Sequence, residues 1–270
     1  MKNLIVVRGG GDIATGTIHR LHNTGYRVLV LEAAQPSAIR REVAFSEAVY
    51  DGSKTVERVT CYCADSVHAA EKLLKRDEVA LLVDPSGASI SELRPKVVVD
   101  AILAKRNLGT TMDMAELTIG LGPGFCGGQD VRCVIETMRG HNLGRIIYEG
   151  FAMKNTGVPG LVGGASAERV IHAPAAGRIE VLRSISRVVE KGEKIALIHT
   201  PEGETVPVEA SLTGVLRGMI HDGYEAQKGL KMADIDPRSE QENCFTISDK
   251  ARCISGSVLE TVLAWERGVR

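Results

Sequence analysis

The chain has 270 residues, 44% of them hydrophobic and 25% charged, and a formal net charge of −1. A near-neutral charge and only 4% aromatic residues provide neither a basic field nor a stacking platform, so no nucleic-acid partner is expected. No apolar run approaches the roughly 18 residues that a membrane span needs, so no membrane partner is expected either. Because the N-terminus has no features of a secretory signal, the predicted location is cytoplasmic.

The first 32 residues predict one βαβ unit. Residues 4–7 form the continuous apolar run typical of a buried parallel strand, and Asp12–Asn23 have helical periodicity. Residues 28–31 form a second short apolar run that ends at Glu32. The span of the whole segment is that expected for a strand, helix and strand in succession.

A glycine turn connects the first strand to the helix, in the pattern of dinucleotide-binding proteins. Its first glycine permits a tight turn, its second lets backbone approach a pyrophosphate, and the small residue that follows lets helix and strand pack closely. Glu32, at the end of the second strand, is the candidate ribose ligand. One residue opposes this interpretation, because the carboxylate of Asp12 repels a phosphate although it caps a helix well. The cofactor-binding residues predicted here are Gly9, Gly10, Gly11, Asp12, Ala14 and Glu32.

Two further strands are predicted at residues 79–83 and 97–99, with a helix at residues 65–76 before them. Each strand is followed by an aspartate, Asp84 or Asp100. Ligands of open α/β sheets bind at the carboxyl ends of the strands, which is where these carboxylates stand.

Residues 109–164 contain 13 glycines in 56 residues, far above the average usage of about 7%. Within this segment Cys126 precedes a predicted helix at residues 131–138, whose N-terminus would stabilise a thiolate, so Cys126 is a candidate nucleophile or chalcogen carrier. The competing interpretation is a small buried thiol without chemistry. Gly124, in the same loop, is a further candidate for cofactor binding.

A basic segment follows at residues 139–145. His141 is a candidate catalytic residue and Arg145 a candidate ligand for phosphate or carboxylate oxygens, whereas Arg139 is equally well explained as a basic residue at a helix C-terminus. No group of acidic residues and histidines has metal-ligand spacing, so no metal site is predicted. No Ser/His/Asp signature is found, and a hydrolase has no support.

An internal repeat relates residues 173–198 to residues 210–235 at a constant offset of 37. Its spacing resembles the biotinyl/lipoyl carrier domains, but the hairpin between the halves has no lysine to modify, so the architecture is inferred and the carrier function is rejected. The predicted fold class is α/β, with a Rossmann-like parallel sheet domain and a β-rich barrel-sandwich hybrid domain. The predicted boundaries are 1–170, 171–237 and 238–270, the last containing an amphipathic helix that returns to the first domain.

Several long motifs together resemble the YqeB-type family, accessory factors of the selenium-dependent molybdenum hydroxylase system. The resemblance also extends to the Rossmann part of the XdhC-type chaperones. It implies a maturation factor that binds molybdopterin cytosine dinucleotide or a related nucleotide and assists selenium or sulfur insertion, with a molybdenum hydroxylase and its maturation proteins as partners. The motifs are the segments at residues 8–14, 122–125, 135–145, 155–160, 234–238 and 248–252.

Two other functions remain open from the residues. An NAD(P)-binding oxidoreductase would use the same glycine turn and Glu32, although no Tyr-x-x-x-Lys pair accompanies them. A scaffold would use the repeat domain to dock a partner. The sequence also leaves open whether the chain forms a homo-oligomer.

Overall fold

The computed structural model describes residues 3–155, 157, 164–238 and 240–269. The chain forms two compact units, and the segments of the second interrupt the first. The first unit comprises Met1–Pro36, Ala44–Thr156 and Ile247–Arg270, and the second comprises Ser37–Val43 and Gly157–Thr246. Within the described part of the chain, no helix is both long and apolar enough to cross a membrane.

The first unit begins with a strand, a helix and a strand in succession, and its later strands are mostly short. Its strands are β1 Leu4–Arg8, β2 Arg27–Glu32, β3 Ser53–Val56, β4 Val59–Ala64, β5 Val79–Val83, β6 Val97–Asp100, β7 Leu117–Leu121, β8 Cys126–Gly127, β9 Cys133–Ile135, β10 Ile146–Ile147 and β11 Gly150–Phe151. Its helices are α1 Asp12–Asn23, α2 Ala48–Asp51, α3 Val67–Lys75, α4 Ser89–Leu93 and α5 Asp249–Glu266, with short 3-10 turns at Phe45–Glu47 and Met112–Met114.

Nine of these strands form one mixed sheet in the order β10-β9-β7-β6-β1-β2-β5-β4-β3. The seven strands from β9 to β4 run parallel, whereas the edge pairs β9/β10 and β3/β4 are antiparallel. β1 is flanked by β2 and β6, so the loops after these three strands leave the sheet at one edge. Strands β8 and β11 form a separate antiparallel pair.

The core of the first unit follows from alternation along the central strands. Leu4 and Val6 of β1 and Leu29 of β2 pack in one buried cluster with residues of α3 and α4. Helix α1 packs instead on α5, where Gly16 lies against Ala251 so closely that a Cβ on Gly16 would stand 2.8 Å from that of Ala251. The predicted strands and helices of the first 100 residues are confirmed in their positions.

The second unit consists of short antiparallel strands that follow the sequence repeat. They are β12 Val170–His172, β13 Gly177–Val181, β14 Val188–Val189, β15 Lys194–His199, β16 Thr205–Glu209, β17 Gly214–Met219, β18 Glu225–Ala226 and β19 Lys231–Asp236. Each of β13, β14 and β15 has its counterpart 37 residues later, in β17, β18 and β19. The strands form two four-stranded sheets, β12-β19-β17-β14 and β16-β15-β13-β18, around a common apolar core.

The predicted fold class is wrong. The large sheet is mixed rather than parallel, and its half from β6 to β10 has no crossover helices of the Rossmann kind; β6 and β7 are joined through a 3-10 turn. In the second unit, β12 also has its counterpart 37 residues along the chain, in β16, so the two four-stranded sheets repeat one strand order, and no biotinyl/lipoyl domain is shown.

Candidate functional site

The glycine turn stands at the carboxyl end of β1, where its first two glycines are fixed by close packing. Gly9 has a φ of +93° and lies against the backbone of Ala101, which a Cβ would approach to 2.9 Å. A Cβ on Gly10 would stand 3.0 Å from the backbone nitrogen of Ser46, which donates to the carbonyl oxygen of Gly10. Larger residues at these two positions would collide with backbone.

Gly11 differs from its neighbours because the space beside it is open. It is the N-cap of α1 with an extended backbone, no side chain caps the helix, and a Cβ there would meet no atom within 4 Å. The first N–H groups of a helix lack intrahelical partners and carry its positive dipole end. Asp12 is the first helical residue rather than the predicted cap, and Ala14 is fully buried.

Glu32 lies beside the turn and is already hydrogen-bonded to it. Its Oε2 accepts from the backbone N–H of Gly10 and its Oε1 from that of Ala33, each at 2.7 Å. Burial raises the pKa of Glu32, against these two N–H groups, which favour the carboxylate. A carboxylate oxygen has more than one acceptor position, so each can also accept from a ligand hydroxyl.

A buried polar network that the sequence analysis did not identify supports the same edge of the sheet. Arg8 is 1% exposed, and its Nη1 donates to Thr110 Oγ1 at 2.5 Å, while its Nη2 donates to the carbonyl oxygen of Pro85. Thr110 Oγ1 donates in turn to Asp100 Oδ2 at 2.6 Å, and Arg8 lies 3.7 Å from the same carboxylate. The network ties the loops after β1, β5 and β6 together.

Asp84, which follows β5, and Asp100, the last residue of β6, are both engaged in hydrogen bonds within the protein. Asp84 accepts from the backbone N–H groups of Gly87, Ala88 and Ser89. Burial acts to raise its pKa, but the hydrogen bonds from Ser89 and its neighbours outweigh this and lower the pKa to about 2. Asp100 is 1% exposed and committed to the network described above.

The predicted helix after Cys126 is wrong. Residues 133–135 form strand β9 instead, so no helix end stabilises a thiolate. Cys126 is 6% exposed; its backbone N–H donates to Asp130 Oδ2, and its Sγ lies 3.7 Å from the carbonyl oxygen of Gly127. Gly124 has a φ of +113° and lies against Arg106, whose backbone a Cβ would approach to 2.7 Å. The chemical role of Cys126 stays a prediction.

The basic segment is not a helix end either. Arg139 pairs with both carboxylate oxygens of Asp249 at 2.7 Å, and His141 and Arg145 are exposed. Among the residues that the structure describes, Cys126, His141 and Arg145 make no hydrogen bond to the glycine turn or to Glu32. The structure thus brings together the turn, Ala14 and Glu32, and not these three. Residues 156 and 158–160 of the predicted family motifs lie outside the described residues.

No family model matches the chain. It is 48% identical over 260 residues to the uncharacterized protein YqeB of Escherichia coli (strain K12), an alignment that covers 96% of this chain and 47% of that protein. The chain thus spans about half the length of the curated relative that it matches.

Similar solved structures include an aspartoacylase family protein from Mesorhizobium loti MAFF303099, with 9% identity, a TM-score of 0.27 and coverage of 86% of this chain and 84% of that one. The ectoine utilization protein EutE (DoeB) from Ruegeria pomeroyi has 10% identity, a TM-score of 0.27 and coverage of 86% and 85%. A succinylglutamate desuccinylase from Silicibacter sp. TM1040 has 12% identity, the same TM-score of 0.27 and coverage of 86% and 84%. TM-scores of this size transfer neither a fold nor an activity.

These findings overturn two predictions. The assignment to accessory factors with an XdhC-like Rossmann domain is wrong, because the YqeB relative is named only as an uncharacterized protein and the large sheet is mixed, with β6 and β7 joined through a 3-10 turn. The predicted function in maturation of selenium-dependent molybdenum hydroxylases, with an NAD(P)-binding oxidoreductase as its alternative, is wrong as well, because it depended on that resemblance and on a Rossmann-like parallel sheet, whereas the sheet is mixed.

The predicted cofactor, molybdopterin cytosine dinucleotide or a related nucleotide, and the predicted partners are tested by neither the geometry nor the comparisons, and they stay predictions. In the described part of the chain, no group of three His, Cys, Asp or Glu side chains is placed to hold a metal ion.

Proposed function

We propose that the first unit is a binding module for a nucleotide-type ligand, held by a phosphate group at the start of α1. The observation that carries this proposal is the open space beside Gly11, at the uncapped N-terminus of a 12-residue helix that follows the central strand of the sheet. Such helix ends bind phosphate through backbone N–H groups and the helix dipole.

Glu32 supplies the second contact in this proposal. It is held beside the turn by its bond to Gly10, and its remaining acceptor positions suit a ribose hydroxyl. The network around Arg8 contributes by fixing the loops that border the turn, so the ligand meets a preformed surface. Rigid positioning of this kind lowers the entropy lost on binding.

The first test is Gly11→Val, with Gly11→Ala as a graded step. No atom lies within 4 Å of the added Cβ and the backbone of Gly11 is extended, so both variants should fold as the wild type does. Isothermal titration with adenine and cytosine mono- and dinucleotides should give a dissociation constant for wild type that rises at least about tenfold in Gly11→Val, or about 1.4 kcal/mol. A matched control is Ala88→Val, an exposed position at the start of α4.

Asp12→Asn tests the same site with the opposite sign. Removing a negative charge from the first turn should strengthen phosphate binding by about 0.3–1 kcal/mol at low salt. The proposal fails if no nucleotide binds wild type at millimolar concentration, or if Gly11→Val binds as tightly as Ala88→Val.

We also propose a cytoplasmic location for the protein. It is supported by six cysteines that are all free thiols, the state typical of proteins in a reducing compartment. Fractionation of cells that express the tagged chain tests this, and recovery in a secreted or periplasmic fraction would contradict it.

A further inference from the structure

The C-terminal half of α5 exposes apolar side chains on the side that faces away from the core. The buried side of the helix is formed by residues such as Ile254, Val258 and Val262. On the opposite side Leu263 is 37% exposed, and Leu259 is only partly buried. A groove runs along this side, and we call its lining the α5 face: Leu259, Glu260, Leu263, Ala264, Arg267 and Val269.

The end of the helix holds Val269 on this face. The backbone N–H of Gly268 donates to the carbonyl oxygen of Trp265, and that of Val269 donates to the carbonyl oxygen of Ala264, both at 3.0 Å. Gly268 has a φ of +64°. These bonds are those of a Schellman motif, which turns the chain back onto the last turn of the helix. Val269 is 69% exposed, so an apolar side chain is fixed in contact with solvent beside the groove.

Two opposite charges flank the apolar residues. Glu260 and Arg267 are exposed and seven positions apart, which is close to two turns of a helix, so they lie on the same side with Leu263 and Ala264 between them. In the part of the chain that the structure describes, neither side chain takes part in an ion pair. The α5 face is thus acidic at one end, apolar at its centre and basic at the other end.

This arrangement is complementary to itself. When a second α5 lies antiparallel on the first, with a two-fold axis at Leu263 and Ala264, Glu260 of each copy faces Arg267 of the other. Two ion pairs then border an apolar centre, which is the usual anatomy of a protein interface. A parallel pair of helices would instead place like charges opposite each other.

The surface beside the helix has the relief that such a pairing needs. Glu260, Ala264 and Val269 also line a second groove, between α5 and β10, the outermost strand of the large sheet. The three residues therefore form a ridge between two grooves. Helices pack by placing the ridges of one in the grooves of the other.

We propose that the α5 face binds the same face of a second copy of this chain, in an antiparallel two-fold dimer. The apolar residues of each copy are removed from water by those of the other, and Glu260 and Arg267 fix the orientation. A two-fold contact between identical patches is the commonest interface of homo-oligomers. No residue of the glycine turn takes part, so the dimer does not depend on nucleotide binding.

Sedimentation equilibrium of the full chain tests the proposal. With rising concentration, the mass of wild type should approach twice the 29.0 kDa of one chain. Glu260→Arg puts an arginine opposite Arg267 at both ends of the interface, so it should weaken the dimer at least about tenfold, and Arg267→Glu should do the same. The double variant Glu260→Arg/Arg267→Glu should dimerise about as tightly as wild type, because both ion pairs form again with the charges exchanged.

Two more variants complete the test. Glu92→Arg is the matched control, because it reverses an exposed charge on α4, which does not line these grooves, and it should dimerise as wild type does. Leu263→Asp places carboxylates at the apolar centre and should give a monomer at every concentration. If that variant does not fold, as judged by circular dichroism, the charge variants still decide, since both of their positions are exposed.

Three results would overturn the proposal. Wild type that stays monomeric at about 100 μM would assign the α5 face to a different protein. Equal dimerisation by Glu260→Arg and Glu92→Arg would place the contact elsewhere on the surface. A double variant no tighter than its two single variants would exclude the antiparallel pairing of Glu260 with Arg267.

Discussion

The contact between α1 and α5 predicts that two glycine-to-alanine substitutions, one in each helix, change the stability of the chain differently. A Cβ on Gly16 would lie 2.8 Å from Ala251 Cβ and 3.0 Å from its carbonyl oxygen, both parts of a helix that cannot give way cheaply. A Cβ on Gly256, in α5, would meet only the mobile end of Arg20, at 3.4 Å. Both glycines are helical, so replacing either by alanine gains the same helix propensity, about 1 kcal/mol.

The difference between Gly16→Ala and Gly256→Ala isolates the cost of overpacking, about 1–3 kcal/mol. Gly256→Ala should therefore stabilise the chain, and Gly16→Ala should range from no gain to a loss of about 2 kcal/mol once propensity is subtracted. Urea unfolding followed by circular dichroism measures both, provided that the slope against urea is unchanged. Equal stabilisation by the two variants would refute the close crossing of α1 and α5 at Gly16.

Three other predictions can be checked in the same unfolding assay. Arg8→Met leaves Asp100 charged and buried, so it should lower the free energy of unfolding by about 3–5 kcal/mol. The double variant Arg8→Met/Asp100→Leu should regain part of this loss, and no regain would contradict the pairing of Arg8 with Asp100. Asp84→Ala should cost about 1–2 kcal/mol at pH 7 after allowance for solvent screening. Since folding lowers the pKa of Asp84 to about 2, this cost is present above its ordinary pKa and should fade as the pH falls towards 2; a constant cost would argue against the charge. Gly177→Ala and Gly214→Ala each push a Cβ into a neighbouring backbone oxygen, so each should destabilise by about 1–3 kcal/mol, and a loss at only one would show that the halves of the repeat are not equivalent.

The sequence was sufficient where a single segment determines its own structure. The apolar run before the glycine turn, the periodicity of Asp12–Asn23 and the offset of 37 residues each correspond to elements of the structure. These signals are local or repeat at a fixed interval, so they need no knowledge of the fold.

Residues 131–138 show why the prediction failed in the glycine-rich segment. Their spacing suits a helix, but Cys133, Val134 and Ile135 are fully buried and pair with β7 and β10, and buried pairing decides the outcome over periodicity. No single segment of the sequence indicates that the part of the sheet from β6 to β10 is connected without crossover helices.

The candidate site was predicted in part for a similar reason. A turn and the acid that follows the next strand can be recognised from their spacing, and the structure places Gly10 and Glu32 in contact. The pairing of Arg8 with Thr110 joins residues 102 positions apart, so the spacing of the sequence cannot indicate it. Which acid pairs with which base is a property of the folded chain.

The packing of α5 on α1 also sets an order of events during synthesis. Helix α1 begins at Asp12 and its partner at Asp249, with the whole of the second unit translated between them. At translation rates of about 5–20 residues per second, the face of α1 that packs against Ala251 remains unpacked for roughly 12–50 s, until α5 has been synthesised. The nascent first unit therefore presents an uncovered apolar helix face for that interval, and a chaperone that holds such faces would act on this chain before the ribosome releases it.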